Sequence, residues 1–227
     1  GRPDLVIYSG SESLKQWGKI DNPKNILTYA SNHIPYYCEI NNSLFKHILY
    51  IEDTVFHCPE ANFSNVGYRN LEVYRKKMIL FMNMLENFYN LPLIISASGK
   101  YIYKNNDFGK FPIVYRKTDQ LFKDSACVFT HASSAITKIF AYKKDAFTIN
   151  SNSVLSWKNK ESEILANYLN IPFISIDNID KNSFKEKIRN SEKMINMNIY
   201  DKHYSWVSNY RHCLSSQIYK NASDILF

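Results

Sequence analysis

The chain has 227 residues, 45% hydrophobic and 22% charged, which excludes a disordered chain and a stapled miniprotein. No segment approaches the roughly 20 continuous apolar residues of a membrane-spanning helix. Lys and Arg number 28 against 21 Asp and Glu, a net charge of +7. That balance suits an anionic partner such as a nucleotide or a phospholipid surface, although the abundance of Asn, Lys, Ile and Tyr would also follow from an AT-rich coding sequence. No dense basic stripe of the kind that tracks nucleic acid is present.

Gly1-Arg2-Pro3-Asp4 lacks an initiator Met and an apolar signal core, and reads as a cut or processed end. Short runs rich in branched and aromatic residues then recur, and the spacing predicts strands at Leu5 to Tyr8, Ile26 to Tyr29, Ile48 to Ile51 and Leu91 to Ile95. Four more follow at Ile113 to Tyr115, Cys127 to Thr130, Ala146 to Ile149 and Pro172 to Ile176. Most are continuously apolar, as in a parallel sheet covered on both faces. Between them Leu71, Tyr74, Met78, Phe81, Met82, Leu85 and Phe88 fall at helical steps and define a helix over Tyr68 to Tyr89. Further helices are predicted at Ser134 to Tyr142, Ser162 to Leu169, Ser183 to Ile188 and from Tyr200 to about Tyr219.

Alternating strands and helices predict an α/β fold with a Rossmann-like, doubly wound, mostly parallel sheet. Residues 47–199 hold that pattern. Residues 1–46, with two strands, are too short for a core of their own and read as the remnant of a preceding domain or a bridge. Residues 200–227 are expected to pack back towards them.

Cys38, Cys58, Cys127 and Cys213 lack the paired spacing of a zinc or redox site and read as reduced structural thiols in a cytoplasmic protein. His33, His47, His203 and His212 have no partners at metal-ligand spacing, so no metal is expected.

The chemistry concentrates where strands end. After Thr130 a polar turn, His131-Ala132-Ser133-Ser134, opens a helix, and turns of this kind gather free N–H groups and hydroxyls suited to phosphate. A simple helix cap by Ser133 or Ser134 is the alternative. Glu52, Asp53, His57 and Glu60 follow another strand, where a carboxylate beside an imidazole could act as general base or as a turn or helix cap. Tyr115-Arg116-Lys117-Thr118 passes from strand to helix, with Arg116 or Lys117 able to neutralise a diphosphate and Thr118 placed to cap.

The strand, Thr130-His131-Ala132-Ser133-Ser134-Ala135, the apolar helix and Tyr142-Lys143-Lys144-Asp145 resemble the late nucleotide-binding segment of GT-B glycosyltransferases. More closely, the segment resembles that of bacterial capsule and surface-carbohydrate (lipopolysaccharide) biosynthesis proteins of that fold, with Asp145 where they usually carry Pro. The segment from Ile48 through Glu52-Asp53 to His57-Cys58-Pro59-Glu60 is similar to the first strand of their C-terminal domain. Ser98-Gly99-Lys100 stands where relatives commonly have a strand followed by His-Pro.

The resemblance covers residues 46 to 180 and implies a GT-B C-terminal, donor-binding domain. It implies Asp53 and His57 as catalytic residues, and Thr130, His131, Ser133, Ser134, Ser98, Gly99, Lys100 and Arg116 as nucleotide- or phosphate-binding. The substrate would be a CMP- or UDP-linked sugar with no further cofactor, and the acceptor a glycan or lipid-linked glycan. Transfer would take place in the cytoplasm, at the inner face of the membrane through peripheral association. A non-hydrolysing nucleotide-sugar epimerase and a non-catalytic nucleotide-sugar or glycan-binding module are the alternatives.

Overall fold

The computed structural model describes residues 5–9, 25–29, 45–52, 71–97, 99, 101–104, 106–142, 144–177, 179 and 181–192. The chain divides into two compact units, one of Gly1–Cys38 with Asn198–Phe227 and one of Glu39–Met197. In the first, β1 (Leu5–Ser9) and β2 (Asn25–Tyr29) pair in parallel, Leu5 opposite Asn25 through Ser9 opposite Tyr29. The helix expected from Tyr200 lies outside the described residues.

The second unit is built on six strands: β3 (His47–Glu52), β4 (Leu93–Ala97), β5 (Ile113–Tyr115), β6 (Ser125–Thr130), β7 (Asp145–Asn150) and β8 (Phe173–Ser175). They lie in the order β5-β4-β3-β6-β7-β8 with every neighbouring pair parallel. Numbered from β3, this is the order 3-2-1-4-5-6 of the Rossmann fold. Burial explains the composition of the strands. All six residues of β3, His47 to Glu52, are buried, so both of its faces select for apolar side chains. Edge strand β5 is only half-buried along its length.

The flanking helices are α1 (Leu71–Tyr89), α2 (Thr118–Asp124), α3 (Lys138–Tyr142, entered through a 3-10 turn at Ser134–Thr137), α4 (Ser156–Leu169) and α5 (Lys181–Glu192). One core joins Tyr74, Met78, Phe81, Met82 and Leu85 of α1 and Phe184 and Ile188 of α5 to Ile48, Tyr50, Ile95, Phe129 and Phe147. Phe81 meets Phe129 and Phe184 edge-on at 5.7 and 6.0 Å, and Phe129 stacks on Phe147 at 4.6 Å. Rings in these geometries add about 0.5–1.5 kcal/mol per pair beyond the area they bury. The Met-rich stripe of α1 is therefore core.

Two connections repeat one device. Asn90 after α1 and Asn170 after α4 take left-handed backbone (φ 53° and 52°), the usual way to end a helix. Each is followed by an apolar residue and a proline, Leu91-Pro92 and Ile171-Pro172, and then a strand. This is why the strand expected from Leu91 begins at Leu93, and the one expected from Pro172 at Phe173. The proline carbonyls still take part: Ile48 N–H donates to Pro92 O (2.8 Å), Ile95 to Pro112 O (2.9 Å) and Thr148 to Pro172 O (2.9 Å). The helix expected from Ser162 begins six residues earlier, at Ser156. Among the described residues no helix is long and apolar enough to cross a membrane.

Candidate functional site

In a doubly wound sheet the ligand crevice opens beyond the carboxyl ends of the strands, at the point where the strand order reverses. Here that point lies between β3, whose chain continues to β4, and β6 on its other side. β3 ends in Glu52 and β6 in Thr130, with His131 immediately after it.

The turn after β6 is set by Ser133. Its backbone is extended (φ −79°, ψ 131°), its Oγ accepts from Ala135 N–H at 3.3 Å, and its carbonyl accepts from Ile136 N–H at 3.0 Å. Ser133 therefore caps, and Ser134 opens the 3-10 turn. Thr130 and His131, expected as phosphate donors, are both fully buried. Thr130 Oγ1 donates to Ile51 O at 3.0 Å, stapling β6 to β3, and His131 faces Tyr74 of α1.

Gly99 and Arg116, read separately from the sequence, come together beyond the ends of β4 and β5. A Cβ on Gly99 would lie 2.8 Å from Arg116 Nε and 3.2 Å from one terminal guanidinium nitrogen. The absent side chain is what lets the guanidinium lie on this backbone. Arg116 is exposed and held at φ 57°, a left-handed conformation that costs a non-glycine residue roughly 1–2 kcal/mol. Strain of this kind collects at functional positions. Thr118 does not cap α2. Lys117 occupies the N-cap without a side-chain bond, and Thr118 Oγ1 lies 2.8 Å from Ser96 Oγ.

Beneath the crevice runs a buried polar chain that sequence reading missed. Glu52 is 2% exposed and receives two phenols, Tyr50 Oη on Oε2 (2.8 Å) and Tyr103 Oη on Oε1 (3.0 Å). Tyr50 Oη lies 3.3 Å from Tyr74 Oη, which lies 2.7 Å from His131 Nε2. Tyr74 sits on the apolar face of α1 and counts there as a hydrophobic residue. Only its position opposite Tyr50 and His131 reveals the hydroxyl's use. Tyr103 is delivered by the crossover between β4 and β5, which Arg75 fastens to α1 through Asp107 (2.9 Å).

On the far flank, Asp177 follows β8 and ties three elements. It pairs with Lys77 of α1 and accepts from Ser151 Oγ (3.0 Å) and Asn152 N–H (2.5 Å) after β7. Burial raises its pKa, but the Lys77, Asn152 and Ser151 bonds outweigh this and hold it below the ordinary carboxylate value. Beside this knot a cavity of about 360 Å³ is lined by Asn150, Asn152, Ser156, Asn159, Lys160 and Phe173.

Asp53, His57, Glu60, Ser98 and Lys100 lie outside the described residues. Among the described residues no cluster of His, Cys, Asp or Glu is placed to hold a metal. Eight described Lys or Arg side chains pair with carboxylates around the fold, so this part of the positive charge is dispersed. Cys127 is buried.

No protein-family model matches the chain, and no curated protein matches it in sequence. Solved structures do match. The wall teichoic acid polymerase TagF aligns with 98% of this chain and 58% of its own, at 14% identity and a TM-score of 0.51. The fold is Rossmann-like, of the GT-B kind. Acinetobacter baumannii MurG matches over 94% of this chain and 67% of its own (8% identity, TM-score 0.43). S. aureus TarM, solved with fondaparinux, alpha-GlcNAc-glycerol and UDP, matches over 98% and 43% (12%, 0.41). The chain thus spans 43% to 67% of these proteins' lengths.

Proposed function

We propose that this chain is the donor-binding part of a GT-B glycosyltransferase that draws on a CMP- or UDP-linked sugar to build a bacterial surface polysaccharide or lipopolysaccharide. The observation that carries the reading is the carboxyl edge of a 3-2-1-4-5-6 sheet, where the Ser133-Ser134 turn and the strained Arg116 over Gly99 are both delivered. As the bond from sugar to phosphate breaks, charge grows on the departing phosphate. The guanidinium of Arg116, the hydroxyl of Ser134 and N–H groups of the turn stabilise it, with Ser98 and Lys100 completing the shell. Asp53, directly after β3, takes the proton of the acceptor hydroxyl, and His57 assists. Buried as they are, Thr130 and His131 shape this turn from beneath. The acceptor is a glycan or lipid-linked glycan met at the cytoplasmic face of the membrane.

Thermal unfolding with and without nucleotide tests the reading. Millimolar CMP, UDP or CDP is expected to raise the melting temperature by mass action, and Arg116→Ala with Ser134→Ala to remove the rise. No shift with any of the three refutes it. Ser98-Gly99 in place of His-Pro favours a second reading, a nucleotide-sugar-binding module without turnover. Binding with no transfer or isomerisation by the full-length protein selects that alternative.

A further inference from the structure

Two short helices follow the residues proposed to meet phosphate. Arg116 lies two residues before α2, and the Ser134 turn leads directly into α3. With seven and five residues, neither sustains itself in water, where an isolated helix needs about 12–15 residues. Contacts with their surroundings therefore decide where they lie. The two run side by side in the same direction. At their leading ends Lys138 Nζ of α3 pairs with the Asp119 carboxylate of α2, further along the Phe122 and Tyr142 rings stack at 5.7 Å, and at the trailing ends Lys144 Nζ donates to Lys123 O at 3.1 Å.

The Lys138 side chain is 9% exposed and that of Asp119 62%. Burying an ammonium carries a desolvation cost that methionine would not, and a pair with one partner in water recovers little of it. Stability alone does not account for the pair. What it adds to the apolar contact, which is non-directional, is a fixed register. Asp119 comes three residues after Arg116 and Lys138 four after Ser134, each about one helical turn, so the pair joins the two loops at their roots. Arg116 needs such a hold, because left-handed backbone persists only where its surroundings over-determine it. Thr118, whose Oγ1 lies 2.8 Å from Ser96 Oγ, and Asp119 are the anchors that follow it.

We infer that Lys138, through Asp119, is a positioning residue that fixes the spacing between Arg116 and the Ser134 turn. The tie between the loops is independent of the function proposed above; its service to donor phosphate rests on that function.

The test compares Lys138→Met and Asp119→Asn with Lys46→Met, which removes the ion pair to Asp124 at the other end of α2 (3.0 Å). NMR of the full chain follows the Arg116 Nε–H and Ser134 amide resonances, and titration with CMP and UDP gives affinities in wild-type and Arg116→Ala backgrounds. Lys138→Met and Asp119→Asn are expected to move both resonances and to weaken binding about two- to fivefold, the scale of a partly exposed ion pair. In the Arg116→Ala background, with no guanidinium left to place, that loss should vanish, whereas a loosened fold would lower affinity equally in both. Lys46→Met should change neither readout. Unmoved resonances, unchanged affinity, an equal loss in both backgrounds, or the same effect from Lys46→Met overturns the inference. If Lys138→Met fails to fold, Asp119→Asn, changed at an exposed side chain, decides alone. If the wild type binds neither nucleotide, the donor-site reading falls, and the two resonances decide whether the loops are tied.

Discussion

Replacing Arg116 with glycine should stabilise the fold while weakening the site. Arg116 is exposed and sits at φ 57°, so glycine relieves roughly 1–2 kcal/mol of left-handed strain. Against this stands the greater freedom of glycine in the unfolded chain, about 0.5–1 kcal/mol. The net expectation is a gain of about 0.5–1 kcal/mol, which for a chain of this size raises the melting temperature by about 1–4 °C. If the guanidinium meets donor phosphate, the same change removes a charge-assisted hydrogen bond of about 1.5–3 kcal/mol, weakening nucleotide affinity about 10- to 150-fold. Scanning calorimetry without ligand and titration with CMP or UDP measure the two effects separately. A variant less stable than wild type refutes the strain argument, and one with unchanged nucleotide affinity refutes the role of the guanidinium. Arg116→Ala keeps the strain and loses the charge, so it should weaken binding without raising stability.

Gly99→Ala should change the melting temperature little, because the added methyl meets the mobile end of a side chain, yet it pushes the guanidinium aside and should reduce nucleotide affinity in the same titration. Asp177→Asn should cost about 2–3 kcal/mol by urea unfolding at neutral pH, where a charged acceptor of three bonds is lost. The pKa of Asp177 is depressed in the folded state, so its contribution is present above the ordinary carboxylate value of 3.8 and disappears as pH falls through the lower folded value. The difference between wild type and Asp177→Asn should therefore shrink in strong acid; a constant difference across that range would contradict the pairing. His47 is buried and held neutral, its pKa lowered mainly by desolvation against the opposing bond to Leu121 O. The unfolded chain takes up a proton first, so stability should decline as pH drops below 6.5, and His47→Gln should flatten that part of the curve.

Sheet strands and the long helix were legible because burial on two faces and on one face leaves different apolar periods in the sequence. Ile48 to Ile51 and Ala146 to Ile149 each fall one residue short of the observed strand at either end. The helix ends at Tyr89 and Leu169, before the left-handed Asn90 and Asn170, were legible; the boundaries that failed were the strand starts after them, at Leu93 and Phe173, and the start of α4, which Ser156 opens without a capping bond. At the site, Gly99 and Arg116 were each legible as strand-end residues, but their contact spans a crossover that no local pattern encodes. The Glu52 chain was less legible still. Tyr50 and Tyr74 satisfy the apolar pattern with their rings, so nothing in the periodicity distinguishes them from phenylalanine. His131 and Thr130 were found as polar groups after a strand, but local sequence cannot tell an inward-facing side chain from an outward-facing one when the chain turns.

The three prolines at the amino edge of the sheet act on the opposite edge. Pro92, Pro112 and Pro172 each offer a carbonyl to the neighbouring strand and have no N–H to give, so none can slide inwards to become an interior rung of the ladder without breaking it. They work as end stops, allowing each strand to dock to a fixed depth and no further. Because a strand is a stiff rod of about 3.3 Å per residue, a stop at one end sets where the other end emerges. The stops at Pro92 and Pro112 thereby set how far Ala97 and Tyr115 reach, and with them the height at which Gly99 and Arg116 meet. The geometry of the candidate donor site is thus gauged from the opposite edge of the sheet.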